Sequence, residues 1–208
     1  MNRILPGIVA GALLLCACSS ETDIATHVDE SEVPAIDFNY IVVSNGRIQT
    51  THGINYEFVS AAGLEATQPK NRLDNFDGTP YKISLAAFTS ADSALMIHAE
   101  TVADMSGASD YSNLPEGDWP DASFRSEGHA CMEVPAEAIE GEHDLLWLQS
   151  NGFDPVGTIL FAQHFANTSD MNTEVVLSIL LHVPGCDDEV ANLEAIRNFK
   201  AAISVTGV

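Results

Sequence analysis

Alternating hydrophobic and polar positions run through most of the chain and predict a protein built mainly from β-strands. The polar segments between consecutive runs, such as Asn45-Gly46, "TSADS" (89–93) and "ANTSDMN" (166–172), are typical of hairpin turns. We therefore predict an antiparallel sheet of about six or seven strands. The runs lie at 38–44, 54–61, 81–88, 94–103, 130–135, 143–150, 157–165 and 174–183.

The pattern changes near the C-terminus to a three- and four-residue spacing, which predicts an amphipathic helix within residues 187–205. Asp187 and Asp188 suit its N-terminal cap and first turn. Helix and sheet together predict an α+β fold with the helix packed on one sheet face. The apolar positions of the predicted helix face are Val190, Leu193, Ile196, Phe199 and Ile203.

The order of two long strands followed by a helix resembles, at the level of the fold alone, the sandwiches of PsbP-like proteins. A likeness of folds without shared motif residues implies no functional site.

The first 17 residues have the layout of an export signal, with Arg3 before an apolar run from Ile4 to Leu15. This run is shorter than the roughly 20 residues that span a bilayer. The residues Leu15-Cys16-Ala17-Cys18 resemble the lipobox of bacterial lipoproteins. The resemblance implies cleavage after Ala17 and attachment of a diacylglycerol to Cys18. An ordinary signal peptide with incidental cysteines is the alternative.

Residues 18–37 are acidic and nearly free of large apolar side chains, so we predict a flexible tether. Residues 38–208 then form a single globular domain, since no internal repeat or second boundary is visible. In Gram-negative lipoproteins a residue such as Ser19 after the lipidated cysteine implies transport to the outer membrane. The expected location is the periplasmic face of that membrane.

The charge balance excludes one class of partner. The chain has 30 acidic and 8 basic side chains, with a net charge of −22. Phosphate backbones need basic contact surfaces, so we expect no binding to nucleic acid. An acidic surface is compatible with a saline medium, a cationic partner or a bound divalent ion.

Besides Cys18, which would carry the lipid, two cysteines remain after the predicted cleavage, Cys131 and Cys186. An exported protein meets an oxidising environment, so we predict that they form a disulfide. The bond would join the start of the predicted helix to the strand at 130–135.

The longest polar stretch, residues 104–130, is our predicted binding loop, because long loops on a sheet scaffold commonly carry contacts. Its acids suggest either a calcium site or a solvated surface, and no regular calcium-loop spacing is present. Its aromatic side chains suggest either a sugar or peptide contact or anchors to the core. The candidate contact residues are Asp104, Asp110, Tyr111, Asp118, Trp119 and Asp121.

His98 and Glu100 lie two residues apart in a predicted strand and therefore point to the same face. Such a pair is suited to acid–base chemistry or to half of a metal site, or it forms a structural hydrogen bond. His164 and His182 are expected to lie too far apart along their hairpin to share a metal. No nucleophile motif, phosphate-binding glycine loop or zinc spacing occurs, so we assign no catalytic residue and no resident cofactor.

These features favour a lipid-anchored envelope protein whose domain binds an unidentified protein or small-molecule ligand without catalysing a reaction. A hydrolase-type enzyme that uses His98 and Glu100 is the second hypothesis. A purely structural component of the envelope is the third.

Overall fold

Two antiparallel sheets are the main elements of the chain that the computed structural model describes, which comprises residues 37–61, 63–76, 78–107, 110–119 and 122–208. The strands are β1 (Ile41–Ser44), β2 (Arg47–Thr50), β3 (Tyr56–Ser60), β4 (Glu65–Ala66), β5 (Lys70–Phe76), β6 (Thr79–Thr89), β7 (Ser93–Val102), β8 (Arg125–Val134), β9 (Gly157–Asn167), β10 (Thr173–His182) and β11 (Ile203–Gly207). The helices are α1 (His143–Ser150) and α2 (Glu189–Ala201), with a short 3-10 turn at Ala136–Ile139. The predicted signal segment (1–17), Cys18 and nearly all of the predicted tether lie outside the described residues.

The larger sheet has seven strands, in the order β4-β6-β7-β10-β9-β8, with β5 also paired to β6. The hairpins β6–β7 and β9–β10 form at the two polar segments that predicted them. Strand β10 also pairs with β7, so these two long apolar strands lie in the centre of the sheet. The mainly antiparallel sheet with a C-terminal helix is thereby confirmed.

A second sheet of four strands, in the order β1-β2-β3-β11, was not predicted. The segment taken as one long turn between two strands contains β2, whose residue Ile48 is fully buried. The last strand, β11, was taken as the end of the C-terminal helix, but Ala202 ends that helix and Ile203 begins a strand beside β3. Short strands of four or five residues carry too few alternations for a confident assignment.

The main core lies between the two sheets. Leu95, Ile97 and Ala99 point from β7 towards it, and Phe58 of β3 and Ile196 of α2 close it from the other side. The residues between them in β7 point to the opposite face, because side chains along a strand alternate between the two faces of a sheet. Burial of these apolar side chains is the main contribution to stability.

The opposite face of the large sheet is covered in part by α1, whose Leu148 is fully buried against Met96 and Phe153. Residues 143–150 were predicted as a strand, and that assignment is wrong. The segment has no β-branched residue, and its leucines and glutamine are good helix formers. At about 1.5 Å per residue an eight-residue helix is short, so it covers only part of this face.

Helix α2 begins where the sequence predicts it, because the Asp188 side chain accepts a hydrogen bond from the Ala191 amide at 3.0 Å. Its buried face differs from the predicted one, since Val190 and Leu193 are exposed. The inward positions are instead Asn192, Ile196 and Lys200.

Cys131 of β8 and Cys186 form the predicted disulfide, with their Cα atoms 5.4 Å apart. The bond joins an outer strand of the large sheet to the segment that leads into α2. Residues Ala35–Val208 form one compact unit by their contacts. Within the described part of the chain, none of the helices has the length and apolar character needed to cross a membrane.

Candidate functional site

A cluster of charged side chains occupies the sheet face beside α1. Glu100 of β7 stands directly opposite Glu174 of β10, and the two are only 5% and 4% exposed. Both residues lie on the same face as Met96, which packs under α1. Two like charges side by side in a buried position are unfavourable unless protons or opposite charges compensate them.

Two groups, Tyr111 and His98, supply hydrogen bonds to this carboxyl pair. The Tyr111 hydroxyl donates to Glu174 Oε2 at 2.7 Å, and His98 Nδ1 donates to Glu100 Oε1 at 2.8 Å. His98 Nε2 lies 3.4 Å from Asp144 Oδ2, in the first turn of α1. The predicted His98–Glu100 pair is therefore part of a larger network that the sequence spacing alone did not reveal.

Arg72 of the edge strand β5 completes this cluster. Its guanidinium forms an ion pair with Asp144, and its Nε donates to Asp74 at 3.0 Å. A carboxylate in the first turn of a helix is also stabilised by the helix dipole. Arg72 and Asp144 thus connect the N-terminus of α1 to the strand at the edge of the sheet.

The network changes the proton affinity of its members. Burial and the neighbouring charge of Glu100 raise the pKa of Glu174 to about 7, although the hydrogen bond from Tyr111 acts in the opposite direction. For His98, burial lowers the pKa, but the hydrogen bond to Glu100 and the charges of Asp144 and Glu100 outweigh it, so the net pKa is raised. Glu174 therefore retains its proton well above the usual carboxyl range.

This charged cluster is covered from solvent. The side chains of His98 and Glu100 are 14% and 7% exposed, and neither residue lines either of the two cavities described below. A substrate would have to displace Tyr111 or the start of α1 to reach His98. The arrangement is suited to storing a proton and holding elements together, and it does not present an open reaction centre.

The predicted binding loop is shorter than expected, because β8 begins at Arg125. Asp104 and Asp110 are exposed and accept hydrogen bonds from the backbone amides of Ser106 and Ser112 at 3.0 and 2.9 Å. Such local turns account for the lowered pKa of each carboxyl group. Asp121 lies outside the described residues.

The aromatic side chains of the loop point inwards. Tyr111 stacks on Phe165 with ring centroids 4.3 Å apart, and Trp119 and Phe124 are 4% and 2% exposed in the main core. These contacts anchor the loop to the sheets, which is the second of the two roles considered from sequence. Tyr111, Trp119 and Phe124 therefore hold the described parts of the loop against the sheets.

Beyond these anchors, the loop turns back on itself and forms one wall of a cleft of about 420 Å³. Glu116 pairs with Arg125, and the Gly117 amide donates to the Phe124 carbonyl at 2.7 Å. A β-carbon at Gly117 would make tight contacts, 3.1 Å from Cδ2 of His164 and 3.2 Å from the Phe124 carbonyl oxygen, so these neighbours would have to shift to accept a side chain. Among the lining residues are Ile54, Tyr56, Glu116, Ser123, Phe124, Arg125 and Phe165.

The remaining histidines do not assemble into a metal site. His164 pairs with Leu177, whereas the hairpin loop predicted residue 174 or 175 as its partner. His182 is thus five positions away along β10, on the opposite face. Among the described residues, no group of three or more histidine, cysteine, aspartate or glutamate side chains is placed to hold a metal ion.

Comparisons with known proteins do not supply a function. Protein-family models, curated proteins and solved structures gave no match to this chain. The resemblances to lipoprotein signals and to PsbP-like sandwiches stay predictions, and the function must be argued from this molecule's own geometry.

Sequence reasoning missed Arg72, Asp144 and Glu174. The signal for Glu174 was its position at the start of the most apolar strand. An acidic residue at that position is ordinarily interpreted as a solvated strand end. Asp144 was hidden because its segment was assigned to a strand. Arg72 lies in a segment for which no strand or helix was predicted, so no pattern pointed to it.

The raised pKa of Glu174 predicts a specific dependence of stability on pH. Between about pH 4.5, its usual pKa, and pH 7 the folded chain keeps a proton that the unfolded chain releases. The free energy of unfolding contributed by this group therefore falls as the pH rises through that window. Glu174→Gln keeps an acceptor for the Tyr111 hydroxyl but cannot ionise, so its stability does not fall in this window. Compared with the unaltered protein, the variant should be more stable at pH 8 by on the order of 2 kcal/mol and nearly equally stable at pH 4.5.

Urea unfolding followed by circular dichroism at both pH values measures this difference. Glu116→Gln is the matched control, since the Glu116 side chain is 86% exposed and should show little difference at either pH. A Glu174→Gln variant that is less stable at pH 8, or a difference that does not change with pH, would contradict the assigned protonation.

Proposed function

We propose that this chain is a lipid-anchored protein of a bacterial envelope whose single α+β domain binds a ligand in the cleft beside the loop. Cys18 carries the lipid, residues 18–37 act as the tether, and the domain faces the periplasm from the outer membrane. The proposal assigns the protein no covalent chemistry. The ligand is a protein segment or small molecule with an apolar or ring-shaped surface.

The cleft is the observation that carries this proposal. Its volume of about 420 Å³ lies within the range typical of small-ligand sites, roughly 300–1,000 Å³. Tyr56, Phe124 and Phe165 supply aromatic lining, and Glu116 and Arg125 supply one charge of each sign. Ring stacking with polar groups at the edge is a common means of binding sugars and peptide side chains.

The position of the charged cluster supports a role in binding rather than catalysis. His98 and Glu100 lie under α1, apart from the cleft, while Tyr111 connects them to the loop through Glu174. Their network fixes the loop that forms the wall of the cleft. A binding site benefits from such rigidity, because less conformational entropy is lost when the ligand binds.

The lipid anchor predicts that the two N-terminal cysteines behave differently. Cys18→Ala should abolish incorporation of a palmitate analogue and release the protein from the membrane fraction, since the acylated residue is lost. Cys16→Ala is the matched control and should leave labelling and fractionation unchanged, because Cys16 departs with the signal. Labelling that survives Cys18→Ala, or that is lost equally in Cys16→Ala, would refute the assignment of Cys18.

The cleft predicts saturable binding of ring-containing ligands. An aryl glycoside and a tyrosine-containing tripeptide, one for each ligand class, are titrated into the processed protein in mild detergent and followed by NMR. At least one should shift the amide signals of 123–125, and Ser123→Trp should weaken that binding by about tenfold or more by filling the cleft.

Ser112→Trp is the control for this experiment, because it adds the same ring to an exposed loop position outside the cleft. Its affinity should match that of the unaltered protein. Equal binding by the Ser123→Trp variant, or no saturable shift with either probe, would argue against the cleft as the ligand site.

A further inference from the structure

A second cavity of about 170 Å³ lies between α2 and the strands β8 and β9. His164 and Lys200 form part of its buried lining, with exposed fractions of 2% and 4%. Arg197 and His129 are exposed residues of the same lining. This cavity is separate from the charged cluster beside α1, because His164 points to the other face of the large sheet.

His164 is an unusual group in this cavity because its side chain lacks hydrogen-bond partners. Both of its ring nitrogens are buried without a hydrogen bond. A buried polar group without a partner costs about 1–3 kcal/mol, so native proteins usually satisfy such groups with protein atoms, water or ligand. The burial of the ring and the positive charge of Lys200 lower the pKa of His164 to about 4, so the ring is neutral at pH 7 and offers one N–H donor.

The cavity also concentrates positive charge in a strongly acidic protein. Lys200 and Arg197 are two of only 8 basic side chains in the whole chain, against 30 acidic ones. Both lie one turn apart on α2 and line the same cavity. A buried lysine needs a counter-charge, since desolvation otherwise disfavours the ammonium form.

Asp118 supplies that counter-charge and indicates which ligand chemistry suits the site. Its carboxylate forms an ion pair with the Lys200 ammonium, although the rest of its side chain is 77% exposed. The Lys200 ammonium is thus already placed to receive a carboxylate. Ala162, Leu193 and Ile196 add apolar groups to the lining of the cavity.

We propose that this cavity binds a small organic acid, whose carboxylate pairs with Lys200 and accepts a hydrogen bond from His164 while its short apolar stem contacts Leu193 and Ile196. The ligand carboxylate replaces Asp118, which moves out to solvent. Arg197 attracts the anion to the opening. This site is separate from the aromatic cleft lined by Tyr56, Phe124 and Phe165, and its test does not depend on binding in that cleft.

Trp119 provides a direct readout of binding. Its ring centroid lies 5.3 Å from that of His164, and Lys200 Nζ lies 5.9 Å from the indole ring. The other tryptophan, Trp147, lies in α1 on the far side of the large sheet. In a titration of the processed protein, a ligand in this cavity should shift the Trp119 indole N–H signal in NMR and leave that of Trp147 in place.

Butyrate, acetate and inorganic phosphate are the probes. Butyrate should give a saturable shift, and acetate should bind roughly tenfold more weakly because it lacks two buried methylene groups. Phosphate should give no saturable shift. Lys200→Met should weaken butyrate binding by about tenfold or more, whereas Arg47→Met, which removes a positive charge from the second sheet, should not change it.

Asp118→Asn provides an independent test that does not alter a buried residue. It removes the competing carboxylate and should strengthen butyrate binding several-fold. Phosphate binding equal to that of butyrate, an unchanged affinity in a folded Lys200→Met variant, or weaker binding in Asp118→Asn would overturn the proposal. The absence of any Trp119 shift with butyrate would do the same.

Discussion

The arrangement of the surrounding side chains depends on the pairing of β7 with β10, because this pairing places Glu100 opposite Glu174 inside the protein. Apolar packing on the other face of these strands fixes their register, so the two carboxyl groups cannot separate. The structure accommodates them by retaining a proton and by bringing in His98 and Tyr111. A short helix that covers only part of this face leaves the space in which this network forms.

The same constraint positions the loop that forms part of the proposed ligand site. Tyr111 belongs to the long loop, and its hydrogen bond to Glu174 holds the loop's first half against the large sheet. Trp119 and Phe124 hold the second half in the main core. Between these anchors, Glu116 and Gly117 pair with Arg125 and Phe124 and form part of the wall of the aromatic cleft. The proposed binding function therefore depends on a charged cluster that itself contacts no ligand.

Sequence patterns predicted the parts of this fold that repeat over many residues. The hairpins of the large sheet, the Asp188 cap and the Cys131–Cys186 bond followed from turn residues, helix capping and the redox environment. The second sheet did not follow as a separate sheet: β1 and β3 lie in predicted strands, but the short strands β2 and β11 were assigned to a turn and to the end of the C-terminal helix. Glu174 and Lys200 were missed for another reason: each is a charged residue in a buried position, and only the tertiary contacts with Tyr111 and Asp118 make that position tolerable.

The central claim is that a lipid-anchored, disulfide-bonded domain binds a ligand. Native mass spectrometry of the protein extracted from its own membrane in mild detergent, without reductant or chelator, tests all of it at once. We expect a chain that begins at Cys18, carries the mass of attached acyl groups, lacks two hydrogens for the Cys131–Cys186 bond and retains an additional bound mass. An unlipidated chain without a bound mass would contradict both the anchor and the binding function.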